Sequence, residues 1–148
     1  MYETILLATD ASEDSRAAVD HAVTLARASG ATLHAVSVVE TRTAYDNAIV
    51  EPETVRESLR ADARDAVEAA REAAERAGVD CETAVEEGPP PDRLLEAADR
   101  VGADLVVVGA TGRSPFKRLL LGSTSERLLT ESPVPVAVIG AGKRRADE

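Results

Sequence analysis

A chain of 148 residues is long enough for one domain with its own core, and its 44% content of hydrophobic residues excludes a disordered chain. The formal charge of −10 argues against a nucleic-acid backbone or an anionic membrane as the partner, and 2% aromatic residues argue against a protein that stacks on bases. Lysine occurs only at positions 117 and 143. An acidic, lysine-poor surface is typical of a salty cytoplasm, so we favour a halophilic source over an ordinary acidic cytosolic protein.

The first residues, MYETILLATD, have neither the basic region nor the long apolar region of a signal peptide, and no apolar run in the chain reaches membrane-spanning length. Cys81 is the only cysteine, so an intramolecular disulfide framework is excluded, and it is most simply a small core side chain. These features predict a soluble, cytoplasmic protein.

The chain begins with a strand, and a helix and a second strand follow it. The apolar run at 4–9 predicts a strand buried on both faces, and Asp10 and Ser12 after it can cap a helix. Apolar residues then recur at helical spacing between positions 19 and 26, and Gly30 suits the end of that helix. The residues 32–39, TLHAVSVV, predict the second strand.

After a loop at 40–51, Pro52 suits the first position of a long amphipathic helix that Gly78 can end. The residues predicted to lie near one side of this helix are Val55, Leu59, Ala66, Ala70 and Ala77. The more polar stretch 79–87 predicts a strand at a sheet edge. A proline-rich turn then leads into a short helix with Leu94, Leu95 and Ala98 inward, ended by Gly102.

The residues 104–109, DLVVVG, form the strongest strand pattern; a fourth helix begins near Ser123, and a last strand covers 134–139. Strict alternation of strands and helices predicts a single doubly wound, five-stranded parallel sheet with helices on both faces, in the α/β class. With the strand order 3-2-1-4-5, a ligand binds between strands one and four, at their carboxyl ends. We expect one domain at 1–140 and a polar tail at 141–148.

The stretch after the fourth strand, GATGRSPFKRLLLGSTS, combines three features of a phosphate site. Gly109, Gly112 and Gly122 allow the backbone to approach an anion, and a helix starts directly after the last of them. The hydroxyl residues at 123–125 supply donors, and the stretch is basic and free of acids. The alternative is a glycine-rich strand–helix connection with incidental arginines, and the pattern alone leaves both interpretations open.

The spacing is neither that of a Walker A loop nor that of a dinucleotide-binding fingerprint. It matches G-x-x-G-(nine residues)-G-[ST] at Gly109, Gly112, Gly122 and Ser123. With ILLATDASEDS at the first strand, VSVVE at the second and SPVPVAVI at the end, the chain resembles the ATP-binding branch of the universal stress protein family over nearly its whole length. Ala11 stands where members of this family often have glycine.

The resemblance implies the strand order given above and a site for ATP, with Mg²⁺ bridging the phosphates. It implies that Asp10 contacts the ribose, that Val38 holds adenine through its backbone and that Gly109 lines the ribose. It also implies that phosphates are bound through backbone N–H and hydroxyl groups by Gly112, Gly122, Ser123 and Thr124. The rest of the implied nucleotide-binding set consists of Ala8, Thr9, Thr111 and Arg113.

No general base is placed near the glycine loop, so we expect a nucleotide-dependent stress or signalling switch with slow hydrolysis or none. A phosphoryl- or adenylyl-transfer enzyme using the same site, and a nucleotide-free interaction module, are the alternatives. His21 and His34 lie on different elements without ligands at metal-binding spacing, so we expect no protein metal site. An uncovered apolar edge invites pairing, and the resemblance implies a homodimer through the last strand, Val134 to Ile139.

Overall fold

The computed structural model of the protein describes residues 2–10, 12–40, 53–110 and 123–140. Within them, strands and helices alternate along the chain as predicted. The elements are β1 (Thr4–Ala8), α1 (Glu13–Ser29), β2 (Thr32–Val39), α2 (Glu53–Arg76), β3 (Cys81–Glu87), α3 (Pro90–Val101), β4 (Leu105–Gly109), α4 (Ser123–Glu131) and β5 (Val136–Ile139). Among the described helices, none combines the length and apolar character needed to cross a bilayer.

The strands form one parallel sheet in the order β3-β2-β1-β4-β5, which confirms the predicted fold. The strand β1 lies at the centre, with Leu6 paired to His34 of β2 on one side and to Val106 of β4 on the other. Ile5, Leu6 and Leu7 are completely buried, as a central strand covered on both faces requires.

Alternate residues of the strands supply two core layers, because successive side chains of a strand point to opposite faces. Ile5 and Leu7 pack into the layer shared with α1 and α2. Leu6 and Val106 pack into the opposite layer, together with Leu94 of α3 and Leu128 of α4. Each face of the sheet is therefore closed by helices.

The predicted helix ends at Gly30 and Gly102 are confirmed, since both glycines have left-handed backbone conformations, with φ of 71° and 69°. The predicted inner face of α2 is wrong in part. Val55 is 42% exposed, and the buried residues of the helix are Ala63, Ala66, Val67, Ala70 and Ala74. A helix of 24 residues is about 36 Å long, whereas the seven-residue strand β3 spans about 23 Å, so the first turns of α2 extend past the sheet.

The last strand is shorter than predicted, because β5 begins at Val136 instead of Val134. Pro135 has no N–H to donate, and it contributes only its carbonyl oxygen, which accepts a hydrogen bond from the Val106 nitrogen at 3.0 Å. Cys81 is half-buried at the start of β3, at the margin of the core and not within it. The predicted position of Pro52 and the predicted tail at 141–148 lie outside the described residues.

Candidate functional site

The candidate site lies where the connections leave the middle of the sheet in opposite directions. The chain passes from β1 to β2 on one side, whereas β4 pairs with β1 on the other side and continues to β5. The carboxyl ends of β1 and β4 therefore flank a switch point, which is the usual ligand site of open α/β sheets. Ala8 and Gly109 are the last residues of these two strands.

The turn after β1 is held by hydrogen bonds on both sides of Asp10. The Thr9 nitrogen donates to the Val36 carbonyl at 3.0 Å, which continues the pairing with β2. The Asp10 nitrogen donates to the Ser15 hydroxyl at 2.9 Å, and this hydroxyl donates to the Thr9 hydroxyl at 2.8 Å. Oδ1 of Asp10 accepts from the Ser12 nitrogen at 2.9 Å. The main chain and the carboxylate of Asp10 are thus both fixed.

The amino end of α1 carries its own cap. The Ser12 hydroxyl accepts from the Ser15 nitrogen at 3.2 Å, as an N-cap side chain does. Glu13 and Asp14 follow in the first turn, where carboxylates suit the positive end of the helix dipole. A phosphate would meet two carboxylates there, so this helix end disfavours an anionic ligand.

Gly109 lies directly against the first turn of α1. A Cβ atom at this position would be 3.0 Å from the Asp14 carbonyl carbon and 3.0 Å from the Ser15 nitrogen, closer than side chains normally come to backbone. The missing side chain therefore points toward α1. The sequence pattern predicts a glycine that lets the backbone approach a ligand, and in the structure the absence of a side chain at this position makes room for α1.

The first turn of α4 is attached to the segment that follows β4. Ser125 is 1% exposed, and its hydroxyl donates to the Ala110 carbonyl at 2.9 Å, while the Ala110 nitrogen donates to Ile139 of β5 at 2.8 Å. The third hydroxyl of the GSTS sequence is therefore engaged within the protein, although we expected it to flank a phosphate. Ser123 is exposed and Thr124 is half-buried at the start of the same helix.

The structure brings most of the described predicted residues to one edge of the sheet. Ala8, Thr9 and Asp10 follow one another at the end of β1, and Gly109 ends β4. Val38 lies two positions beyond the residue of β2 that pairs with Ala8, so it also belongs to the carboxyl edge. The predicted residues that lie outside the described part of the chain are Thr111, Gly112, Arg113 and Gly122.

The sequence pattern did not assign Ser15 of α1 to the site, and it assigned Ser125 of α4 a place beside the phosphates instead of its contact with the main chain. Each is completely or nearly buried and each fixes the first turn of a helix to the segment after a strand. A serine three positions after an N-cap serine indicates such a buried contact only weakly, because exposed serines are also common in the first turns of helices. In the part of the chain that the structure describes, no group of three metal-ligating side chains is assembled.

Comparison with known proteins assigns the chain to a family. The model of the universal stress protein family matches residues 1–140. A universal stress protein of Methanocaldococcus jannaschii is 32% identical over 146 residues, covering 97% of this chain and 85% of that protein. The solved structure of the universal stress protein UspA from Lactobacillus plantarum is 30% identical with a TM-score of 0.77, and the match covers 93% of this chain and 97% of UspA.

A universal stress protein solved in complex with cAMP is also similar, at 30% identity with a TM-score of 0.68, and the match covers 95% of this chain and 98% of that one. The family match spans nearly the whole chain, and these likenesses agree with it in both sequence and fold. The chain therefore belongs to the universal stress protein family.

Proposed function

We propose that this universal stress protein binds ATP at the switch point and acts as a nucleotide-dependent stress or signalling switch, with slow hydrolysis or none. The observation that carries the proposal is the convergence of three parts on one edge of the sheet: the fixed turn at Asp10, the end of β4 at Gly109 and the first turn of α4. The similar protein solved with cAMP supports an adenine nucleotide as the ligand class.

The turn at Asp10 supports a contact with the ribose. One carboxylate oxygen accepts from the Ser12 nitrogen at 2.9 Å, which orients the group. A carboxylate has two acceptor oxygens, so the other can accept from a ribose hydroxyl. In this proposal Ala8, Thr9 and Val38 lie beside the nucleoside, with Val38 holding adenine through its backbone.

The phosphates are proposed to lie toward the amino end of α4, because a helix N-terminus favours an anion and the start of α1 is already capped and acidic. The proposed phosphate-binding residues are Gly112, Arg113, Gly122, Ser123 and Thr124, and Thr111 completes the proposed nucleotide-binding set. Mg²⁺ would bridge phosphate oxygens without a protein cage of its own, as this cation often does.

The remaining parts of the proposal concern the state of the protein in the cell. We propose a cytoplasmic homodimer that pairs through β5, with one nucleotide-binding domain at 1–140.

The acidic, lysine-poor composition supports a halophilic source. If carboxylate repulsion is screened in a salty cytoplasm, the melting temperature should rise as salt is added; a flat or falling curve would remove this part of the proposal.

The first experiment examines the ligand that the purified protein carries. The protein is denatured, and the released small molecules are identified by mass spectrometry, with a thermal-shift assay in Mg-ATP alongside. Bound adenine nucleotide, or an increase in melting temperature with Mg-ATP, is expected. Absence of both would favour a nucleotide-free interaction module, and rapid multiple turnover would favour a phosphoryl- or adenylyl-transfer enzyme.

The second experiment tests the phosphate loop with Gly122→Val. A branched side chain should keep the loop backbone away from the phosphates, so ATP binding should be lost while the fold is kept. Ala61→Val is the control for introducing a valine away from the loop, because Ala61 lies on the exposed side of α2. Unchanged ATP affinity in Gly122→Val would contradict the placement of the phosphates.

A further inference from the structure

The Ser15 hydroxyl holds the turn that carries Asp10, although Ser15 itself is buried in α1. It is 3% exposed, and its oxygen both accepts from the Asp10 nitrogen at 2.9 Å and donates to the Thr9 hydroxyl at 2.8 Å. A buried hydroxyl is retained at little cost only when it is hydrogen-bonded, and this one is satisfied as donor and as acceptor.

The position of Ser15 depends on the neighbouring strand. The Ser15 nitrogen would lie 3.0 Å from a Cβ atom at Gly109, so the first turn of α1 reaches this place only because residue 109 has no side chain. The end of β4 and the turn after β1 are thereby linked through one serine. A side chain at 109 would require a shift of a few tenths of an ångström, which is enough to lengthen both hydrogen bonds of the Ser15 hydroxyl.

We propose that Ser15 is a positioning residue for nucleoside recognition: its hydroxyl fixes the Asp10 backbone, and through it the carboxylate that receives the ribose, without touching the ligand. This inference rests on the proposed nucleotide site. A purely structural serine would stabilise the fold and affect every nucleotide equally. A positioning serine should affect nucleotides that carry ribose hydroxyls more than nucleotides that lack them.

The test compares Mg-ATP with Mg-2′,3′-dideoxy-ATP by calorimetry, using wild-type protein and Ser15→Ala. Loss of about one hydrogen bond to the Asp10 backbone should weaken ATP binding roughly tenfold. Dideoxy-ATP has no hydroxyl for Asp10, so its affinity should fall by less than about threefold. The ratio of the two affinities is the readout, and a general loss of stability leaves this ratio unchanged.

Ser12→Ala is the matched control. It removes the side-chain cap at 3.2 Å from the Ser15 nitrogen but keeps the backbone N–H that donates to Asp10 Oδ1. The variant should therefore melt at a lower temperature and still bind the two nucleotides in the wild-type ratio. If Ser15→Ala fails to fold, Ser15→Cys keeps the shape of the site and replaces the hydroxyl with a weak acceptor, and the same selective loss is expected.

The outcomes separate this inference from the proposed function. If wild-type protein binds neither nucleotide, the proposed function fails, and the inference fails with it. If wild-type protein binds ATP and the Ser15 variants lose ATP and dideoxy-ATP equally, or lose neither, the positioning role is overturned while the nucleotide site stands.

Discussion

The two edge strands of the sheet, β3 and β5, differ in the chemistry that they present to a potential partner. The strand β3 is the longer, with seven residues, and three of them are glutamates. Glu86 receives a hydrogen bond from Arg100 at 3.2 Å, and Glu87 receives one from Arg56 at 3.1 Å and another from Arg60. Charged side chains of this kind protect an edge from pairing with a further strand.

The strand β5 has only four residues, Val136–Ile139, and none of them is charged. The hydrogen bonds that join it to β4 involve odd-numbered residues. The Val106 nitrogen donates to the Pro135 carbonyl, and the Ala110 nitrogen donates to the Ile139 carbonyl. The backbone groups of Val136 and Val138 therefore face away from the sheet. The comparison teaches that the length of an edge strand does not indicate how open the edge is to pairing, because the longer edge is the one with charged side chains.

The largest expected effect is the loss of the proposed dimer in Val136→Lys. A lysine on the edge strand should oppose pairing with a second copy, and its long stem can still cover the apolar surface beneath it. Light scattering should show a change from twice 15.5 kDa to 15.5 kDa. Glu82→Lys places the same charge on β3 and should leave the mass at the wild-type value; a monomeric wild type would contradict pairing through β5.

The next effect concerns the helices that support the two edges. The buried residues of α4 are Ser125 and Leu128, whereas α2 has five small or medium ones. Leu128→Ala should lower the free energy of unfolding by about 2–5 kcal/mol, because it empties the one large apolar contact of α4. Val67→Ala, the counterpart in α2, removes fewer buried carbon atoms and should cost less than Leu128→Ala does. Equal losses of unfolding free energy, measured by chemical denaturation, would contradict this difference between the two helices.

Much of the fold was predictable from sequence because buried strands and helix ends have local signatures. The run TILLA in β1 has no polar alternation, and it proved to be buried on both faces. Glycine at positions 30 and 102 marked helix ends, since only glycine adopts the left-handed conformation at no cost. Strict alternation of elements then left few topologies to consider.

The errors arose where a distant part of the chain decides the outcome. Helical periodicity predicts Val55 on the inner face of α2. The first turns of that helix extend past the sheet, however, so Val55 has no strand to pack against and is exposed. The roles of Ser15 and Ser125 also escaped prediction, because their partners are backbone groups brought close by the tertiary fold. The sequence singled out Gly109 as part of the glycine motif. Only the tertiary structure shows that α1 packs against this residue and leaves no room for a side chain there.

A smaller effect is expected from pH at the charged edge. Hydrogen bonds from Arg56 and Arg60 lower the pKa of Glu87, so the folded protein holds this proton less tightly than the unfolded chain does. The resulting stabilisation is complete above the unfolded value of about 4.3 and is lost as the pH falls through the folded pKa. In Glu87→Gln this contribution is absent at every pH.

Thermal melting between about pH 6 and pH 3 tests this expectation. Near pH 6 the wild-type protein should have a higher melting temperature than Glu87→Gln. Near pH 3 the two melting temperatures should be equal. Glu57→Gln, at an exposed position of α2, is the control and should keep a constant offset from wild type. A gap between wild type and Glu87→Gln that stays constant or widens on acidification would contradict the role of the two arginines.

The smallest effect is expected at Cys81, where β3 begins beneath α2. Burial raises the pKa of this thiol, and a backbone hydrogen bond at Ala35 and the nearby charge of Arg71 offset the increase only in part. Since the thiolate is the form that reacts, alkylation by iodoacetamide near pH 8 should be several-fold slower in the folded protein than in denaturant. The pH at which the alkylation rate increases should also be higher in the folded protein than for an exposed thiol. If folded and unfolded protein react equally fast, α2 does not cover this end of β3, and the protected edge is limited to the carboxyl end where Glu87 meets its arginines.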